Sequence, residues 1–392
     1  MRMTHTEEQE MLQSSVRKFF EKEVTTELIR KLQTLDSTGH SEELWRKMGR
    51  AGWLSIAIPE KYNGAGGTLL DLGIVYEESG KVLLPTTFYS TLFASFLIEA
   101  IGTEAQKAKY LSDIANGNII STIAYMEPQA IHNPDCYQTM ARKYKNRYYL
   151  TGTKSFVQNA HLAHLMIVIA RTEDAQANKG LTAFLVEPGQ SGVNIKQHHT
   201  FGKDRQSLVT FSEVELGQEH ILGEPQQARE GLELAIKKAT ALQTLEMVGG
   251  MKKVVQMTVD YVSQRKQFGV PIGSFQAVQH HLANLATYRD GSELAAYQAI
   301  SNLAEGFDAE REVSIAKAYA SESYKTITVM AHQLWGGMGY ATESDLFLWS
   351  NRAKAAELSF GTRDFHLNQL IRFIGSNDVM KQKTNMDVTY SI

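Results

Sequence analysis

Residues 265–276 (RKQFGVPIGSFQ) interrupt two long apolar-periodic segments with a cation, an aromatic ring and a glycine-proline turn. Such a break suits an anion. Arg265 offers a fixed bidentate donor as one helix arrives, and the helix leaving at Gln276 offers free backbone N–H groups and the positive end of its dipole, a pairing that fits a pyrophosphate. The same residues also make an ordinary inter-helix loop with a surface arginine. Other reactive types are sparse. Cys136 is the single cysteine, cannot form an internal disulfide and reads as structural. The doublets His198-His199 and His280-His281 invite a metal, but adjacent residues on a helix do not share a face and no His/Asp/Glu cluster has ligand spacing, so no metal site is expected.

The elements that position these residues follow from length and periodicity. At 392 residues, with 43% hydrophobic and 21% charged, the chain has room for two or three globular domains. A net charge of −3 supplies no basic field for nucleic acid or an anionic membrane, and neither partner is expected. The polar, acidic start, without a secretory or transit-peptide pattern or a later membrane-length apolar run, leads to a cytoplasmic expectation. Residues 4–116 carry helical periodicity (Met11, Val16, Phe20; Leu44, Met48, Leu54; Leu92, Phe93, Phe96), with start signals at Ser41 and Thr103. Between 119 and 223 the texture is short β-rich runs at 122–125, 147–150, 165–170, 182–186 and 208–211, with Lys145-Asn146 as a hairpin turn. Helical blocks then return at 232–264, 276–305, 309–334 and 346–358. The expected division is a helical domain over 1–118, a β domain over 119–224 and a four-helix bundle domain over 225–392.

The motif Arg-x-x-Phe-Gly-x-Pro-Ile-x-x-Phe-Gln at 265–276 resembles the acyl-CoA dehydrogenase flavoprotein family. Residues 53–67 (WLSIAIPEKYNGAGG), 125–128 (YMEP), 152–159 (GTKSFVQN), 180–188 (GLTAFLVEP) and 333–340 (QLWGGMGY) resemble it in the same order, so the likeness covers nearly the whole chain. It implies an α+β multidomain fold: an N-terminal helical domain, a middle β-barrel or sandwich and a C-terminal four-helix bundle. It implies FAD in a cleft between the β domain and the C-terminal helices, and at least a dimer, usually a homotetramer built as a dimer of dimers. Contacts to a neighbouring subunit's FAD fall on Arg265, Phe268, Gln276, Gln333, Gly336 and Gly337. The glycines suit a backbone pressed against a phosphate or ring, and also an ordinary helix cap. Contacts to the chain's own flavin fall on Tyr125, Met126, His132, Phe156, Gln158, Thr362 and Asp364.

This second set departs from the family pattern. The family's Thr-Glu-Pro-x-x-Gly-Ser-Asp run is replaced by Met126–Asn133 (MEPQAIHN), without its hydroxyls, and its Trp-Ile-Thr by Phe156-Val157-Gln158. The departure at the base is larger. Removing a proton α to a thioester carbonyl needs a positioned carboxylate. The family's Tyr-Glu-Gly-Thr turn reads Ser359-Phe360-Gly361-Thr362 here, and phenylalanine accepts no proton. The alternative position, 26 residues before Arg265, is Ala239, and the usual arginine partner beside it is Thr240. Glu246, about 10 Å further along a helix, is too far to replace it directly. Glu357 and Asp364 flank the turn as stand-in carboxylates or as exposed helix-end charges, Asp364 as a cap.

Three functions remain open on this reading. One is an FAD-dependent acyl-CoA dehydrogenase introducing an α,β double bond into a CoA or acyl-carrier-protein thioester, with its base relocated or absent and an electron-transfer flavoprotein as a partner. The second is a non-catalytic subunit of a heterotetramer with a Glu-bearing paralogue. The third is a divergent flavin oxidase or monooxygenase.

Overall fold

Hydroxyl side chains decide where most of the N-terminal helices begin. In the computed structural model, which describes residues 5–34, 36–130, 132–172 and 180–375, Thr6, Thr25 and Ser41 cap α1 (Glu7–Glu23), α2 (Thr26–Leu32) and α3 (Glu42–Arg50). Thr68 and Thr103 form capping boxes at α4 (Leu69–Val82) and α6 (Glu104–Ala115). Each oxygen accepts from an N–H that the first turn leaves unpaired. Between them α5 (Thr87–Ile101) is apolar nearly all round, and it is buried over most of its length.

The middle of the chain forms β1 (Ser121–Ala124), β2 (Met140–Tyr144), β3 (Arg147–Gln158), β4 (Leu165–Thr172), β5 (Leu181–Val186), β6 (Val193–His198) and β7 (Gln206–Gly217). They lie in one sheet, in the order β1-β4-β2-β3-β7-β6 with β5 beside β4, and among the described residues this sheet does not close into a barrel. The turn at Lys145-Asn146 is a hairpin: Tyr144 pairs with Arg147 and Lys145 has φ +53°. Strand alternation divides the apolar run of β4 between two cores. Leu165, Ile167 and Ile169 pack with the helices, while Met166, Val168 and Ala170 pack with Tyr148, Phe184 and Phe211 inside the β layer.

The C-terminal helices are α7 (Ala228–Gln264), α8 (Gln276–Ala304), α9 (Glu310–Trp335), the short α10 (Gly337–Tyr340), α11 (Leu346–Leu358) and α12 (Arg363–Gly375). The two-residue strands β8 (Lys266–Gln267) and β9 (Val270–Pro271) join α7 to α8. No helix of the described residues is long and apolar enough to cross a membrane.

The N-terminal helices are tied to α7 by a crossing close enough to bring backbones into contact. A Cβ on Gly80 of α4 would lie 1.9 Å from the Glu246 carbonyl oxygen of α7, and one on Gly249 of α7 would lie 1.8 Å from the Glu77 carbonyl oxygen of α4. At the same level Lys252 of α7 and Tyr297 of α8 bond the buried Glu77 carboxylate, both at 2.8 Å. Gly249→Ala gains about 1 kcal/mol of helix propensity but forces two backbones apart, an overpacking cost of about 1–3 kcal/mol where flexible side chains can yield and more where a carbonyl cannot. We expect a net loss of at least about 1 kcal/mol in denaturant unfolding; a stabilised variant would show that the crossing is looser than drawn.

Candidate functional site

The turn after α11 is held open by groups that the sequence does not advertise. Phe360 sits in the left-handed region at φ +53° and Gly361 at +104°, a path that a bulky residue follows only when its surroundings impose it. Lys317, fully buried on α9, donates to the carbonyls of Ala356 (2.7 Å), Glu357 (3.2 Å) and Gly361 (3.2 Å). It thereby caps the carbonyl end of α11 and pins the turn with a single cation. Its surroundings push its pKa down to about 7, burial outweighing the opposing fields of Glu357 and Glu246. On the other side His366 Nε2 lies 3.0 Å from the Phe360 carbonyl, and burial, with Lys317 nearby, drives its pKa down to about 4. The neutral ring therefore donates to that carbonyl through Nε2. The Phe360 ring meets Phe93 edge-on at 5.2 Å.

The facing wall is fixed by a buried ion pair. Lys154 of β3 contacts Glu127 at 2.7 Å, donates to the Tyr125 carbonyl at 3.1 Å and lies 4.4 Å over the Tyr137 ring. Glu127 also accepts from the backbone N–H groups of Gln138 (2.6 Å) and Thr139 (3.0 Å). With its oxygens satisfied, the pair anchors the irregular stretch between β1 and β2 against β3. Burial opposes ionisation of both partners, and their mutual attraction resists it; Lys154 settles at about 8 and Glu127 below the usual carboxylate range.

Between these walls lies a cavity of about 350 Å³. Tyr125, Met126, His132, Phe156 and Gln158 line one side and Ser359, Phe360 and Thr362 the other. Phe156 is held at φ +55° with its ring partly exposed. A second groove of about 320 Å³, lined by Tyr125, His132, Thr240, Phe365, His366 and Arg372, and an inner chamber of about 30 Å³ lined by Ala239, Gln243 and Glu246 both reach Phe360. The side chain at the expected base position thus stands where three spaces meet. Flat aromatic rings, the Gln158 amide, the Thr362 hydroxyl and backbone N–H groups suit a planar conjugated ring with carbonyl and nitrogen acceptors, and the volume is within the range of small-molecule sites.

The structure therefore gathers Phe360, Ala239, Tyr125, Met126, His132, Phe156, Gln158 and Thr362 around connected spaces. Glu357 and Asp364 line none of the three: Glu357 pairs with Lys354, and Asp364 is exposed in the first turn of α12. Ile131, inside the run 126–133, lies outside the described residues.

The other candidates assemble elsewhere, where the ends of α7 and α9 meet through Tyr261 stacked on Trp335 at 4.4 Å. Arg265, at the end of α7, and Gln276, at the start of α8, are exposed, as are Gln333, Gly336 and Gly337. Phe268 and Gly269 form the tip of the β8–β9 hairpin at φ +54° and +84°, with the Phe268 ring 93% exposed. None of these residues lines the chain's own cavity. Sequence reasoning missed Lys317 and His366. The one available signal for Lys317 was a lysine set among small residues (314–321, SIAKAYAS) on a helix that had to be buried.

Family models for the acyl-CoA dehydrogenase N-terminal, middle and C-terminal domains match residues 6–118, 122–215 and 233–375. A 3-(aryl)acrylate reductase of Clostridium sporogenes is 31% identical over 356 residues, 86% of this chain and 90% of that protein. The structure of butyryl-CoA dehydrogenase from Megasphaera elsdenii superposes with a TM-score of 0.88 at 27% identity, covering 95% of this chain and all of that one. The ChsE4–ChsE5 complex of Mycobacterium tuberculosis contributes a chain with a TM-score of 0.86 at 25% identity, covering 95% and 99%.

The Lys317 clamp makes a pH signature. With a folded pKa near 7 against an ordinary 10.5, the folded state holds fewer protons than the unfolded chain between those values, so Lys317 makes stability rise with pH across that window. Below it both states carry the charge and the burial penalty is felt in full. Lys154, at about 8, adds in the same direction. Lys317→Met should flatten the rise in denaturant midpoint across that window and cost about 1–3 kcal/mol at its upper end through the released carbonyls; an unchanged slope would place the titration elsewhere.

Proposed function

The chain belongs to the acyl-CoA dehydrogenase family, an oxidoreductase family whose cofactor is FAD, and on that premise we propose that it acts on the Cα–Cβ bond of an acyl thioester without a carboxylate at either usual base position. The observation that carries this reading is Phe360 at the junction of the three spaces, with Ala239 across the inner chamber. When bound, FAD supplies the two-electron acceptor for the hydrogen on the β carbon. The chain's part would be to hold the flavin ring with Phe156, Gln158 and Thr362, and to keep water from the reacting carbons with the Phe360 and Phe93 rings. Its turn is fixed by Lys317 and His366. A proton leaving the α carbon meets no acceptor in Phe360 or Ala239, so a base relocated on this chain or carried by the substrate has to take it. The acyl group arrives on coenzyme A or a carrier protein, and an electron-transfer flavoprotein suits the reoxidation step.

The exposed hairpin supports a second reading, a subunit whose Arg265, Phe268 and Gly336 complete the flavin site of a Glu-bearing neighbour. A relative solved as the ChsE4–ChsE5 complex is compatible with pairing between unlike chains. In that assembly Arg265 would hold the pyrophosphate through its guanidinium.

Two measurements test these readings. If the chain lacks only its base, Phe360→Glu combined with Thr240→Arg should speed anaerobic flavin reduction by acyl-CoA by about 100-fold or more, the usual worth of a positioned base. Variants that bind FAD and thioester yet gain nothing would sink that idea. Arg265→Ala should weaken FAD retention by about tenfold, as loss of a charge-assisted hydrogen bond does. If the purified chain holds FAD equally well with and without Arg265, the hairpin does not reach a neighbour's flavin; if it holds none until co-expressed with a Glu-bearing paralogue, the second reading is favoured.

A further inference from the structure

Two acceptors in the inner chamber have been left without donors. Ala239, Gln243 and Glu246 project from one face of α7 at intervals of four and three residues, so two helical turns separate the apolar mouth of the chamber from its carboxylate end. Glu246 is only 4% exposed. Its carboxylate lies 3.6 Å from Arg352 Nε and makes no hydrogen bond among the described residues. Of the groups around it, the Tyr324 hydroxyl is itself buried without a partner and does not reach the carboxylate, while two others are engaged elsewhere. Arg352 donates to the carbonyls of Leu84 (2.7 Å) and Leu83 (3.4 Å), and the Tyr89 hydroxyl is shared with Ser79 at 2.9 Å. Gln243 Oε1 is likewise buried without a partner.

Arg352 balances the charge of Glu246 but leaves hydrogen-bonding capacity unfilled, and a buried polar group in that condition costs about 1–3 kcal/mol. The chamber's volume of about 30 Å³ is enough for a water or for the last one or two atoms of a ligand. Water can serve Glu246 while the chamber is free. A methyl-ended chain that displaced it would leave that carboxylate dry. We propose that this chamber recognises the far end of the acyl group, and that the preferred substrate carries an O–H or N–H donor there, received by Glu246 and Gln243.

The assignment rests on the thioester reading above and adds to it the class of acyl group. It gives the chamber a specificity role separate from the chemistry at Phe360. A site built to hydrogen-bond a substrate rejects the isostere lacking the donor far better than an apolar pocket rejects an extra methylene.

The test is binding, read by calorimetry on the FAD-loaded protein with pairs of equal heavy-atom number: pentanoyl-CoA against γ-hydroxybutyryl-CoA, and hexanoyl-CoA against δ-hydroxypentanoyl-CoA. The hydroxylated member of at least one pair should bind about tenfold tighter or better. Glu246→Leu should remove or invert that ratio. Gln243→Leu, which leaves the Glu246–Arg352 pair intact and so guards against a merely unfolded variant, should reduce it. Equal or tighter binding of the methyl-ended member in both pairs, or a ratio unmoved in both variants, overturns the inference while leaving the thioester reading in place. Failure of all four thioesters to bind overturns the thioester reading and this inference with it.

Discussion

The site depends on how closely α4 and α7 cross. Gly80 and Gly249 each present a bare Cα to the other helix's carbonyl, and the reciprocal contact fixes where the next turns of α7 fall relative to α4 and α5. Ala239, Gln243 and Glu246 lie within about three turns of that contact, so the inner chamber inherits its width from a backbone spacing rather than from adjustable side chains. A larger residue at either glycine would move one helix away from the other and with it the wall that faces Phe360. The N-terminal helices and the bundle are thus one mechanical unit around the inner chamber, even though their sequences read as separate segments.

A second constraint explains which family-like residues remain and which have gone. Glu127 and Lys154 come from two separate motifs, YMEP and GTKSFVQN, and meet in a buried pair with further hydrogen bonds on both partners. Losing either leaves an uncompensated charge in the interior, at about 3–5 kcal/mol. That penalty ties the two motifs together and is indifferent to catalysis. At the expected base position there is neither the acid nor its arginine partner: Phe360, Ala239 and Thr240 leave no orphaned charge, so the same electrostatic rule is satisfied by absence. Motifs that maintain the wall and motifs that perform the chemistry are therefore under different physical constraints, and the first can persist without the second.

Much of this was legible in the sequence for identifiable reasons. The long C-terminal helices have bounds within a few residues of those expected because their apolar periodicity runs unbroken between glycine, proline or polar stops. The half-exposed, polar β6 (VNIKQH) carries too little alternation to announce a strand. The residues around the large cavity were legible through motif position, since Tyr125, Phe156, Gln158, Phe360 and Thr362 do converge. Lys317 was invisible because a lysine in a helix is ordinarily assigned to solvent, and only tertiary packing turns it inward to cap α11. Glu246 was set aside on distance along the helix. That arithmetic is sound for proton transfer at the Phe360 end, but seven residues also return a side chain to the same face, which puts it at the far end of the same chamber.

The hairpin at the end of α7 shows the opposite case, local structure that makes little sense within one chain. A two-residue turn with positive φ at both positions favours Asn-Gly or Gly-Gly, whereas Phe268-Gly269 places an aromatic residue in the left-handed region, a strain of about 1 kcal/mol or more. Among the described residues the ring gains little in return, because Phe268 is 93% exposed and its one aromatic contact is Phe275, at 6.2 Å. Exposed strain of this kind is rewarded when another surface receives the ring. Arg265 stands on the same loop, and the bare backbone of Gly336 and Gly337 lies by the adjoining helix end. An apolar anchor, a bidentate cation and a backbone without Cβ atoms thus share one exposed end, the combination a dinucleotide would need from outside its own subunit. The cavity in turn has aromatic walls, an amide and the Thr362 hydroxyl, whereas the run 126–133 at its edge carries no hydroxyl of its own.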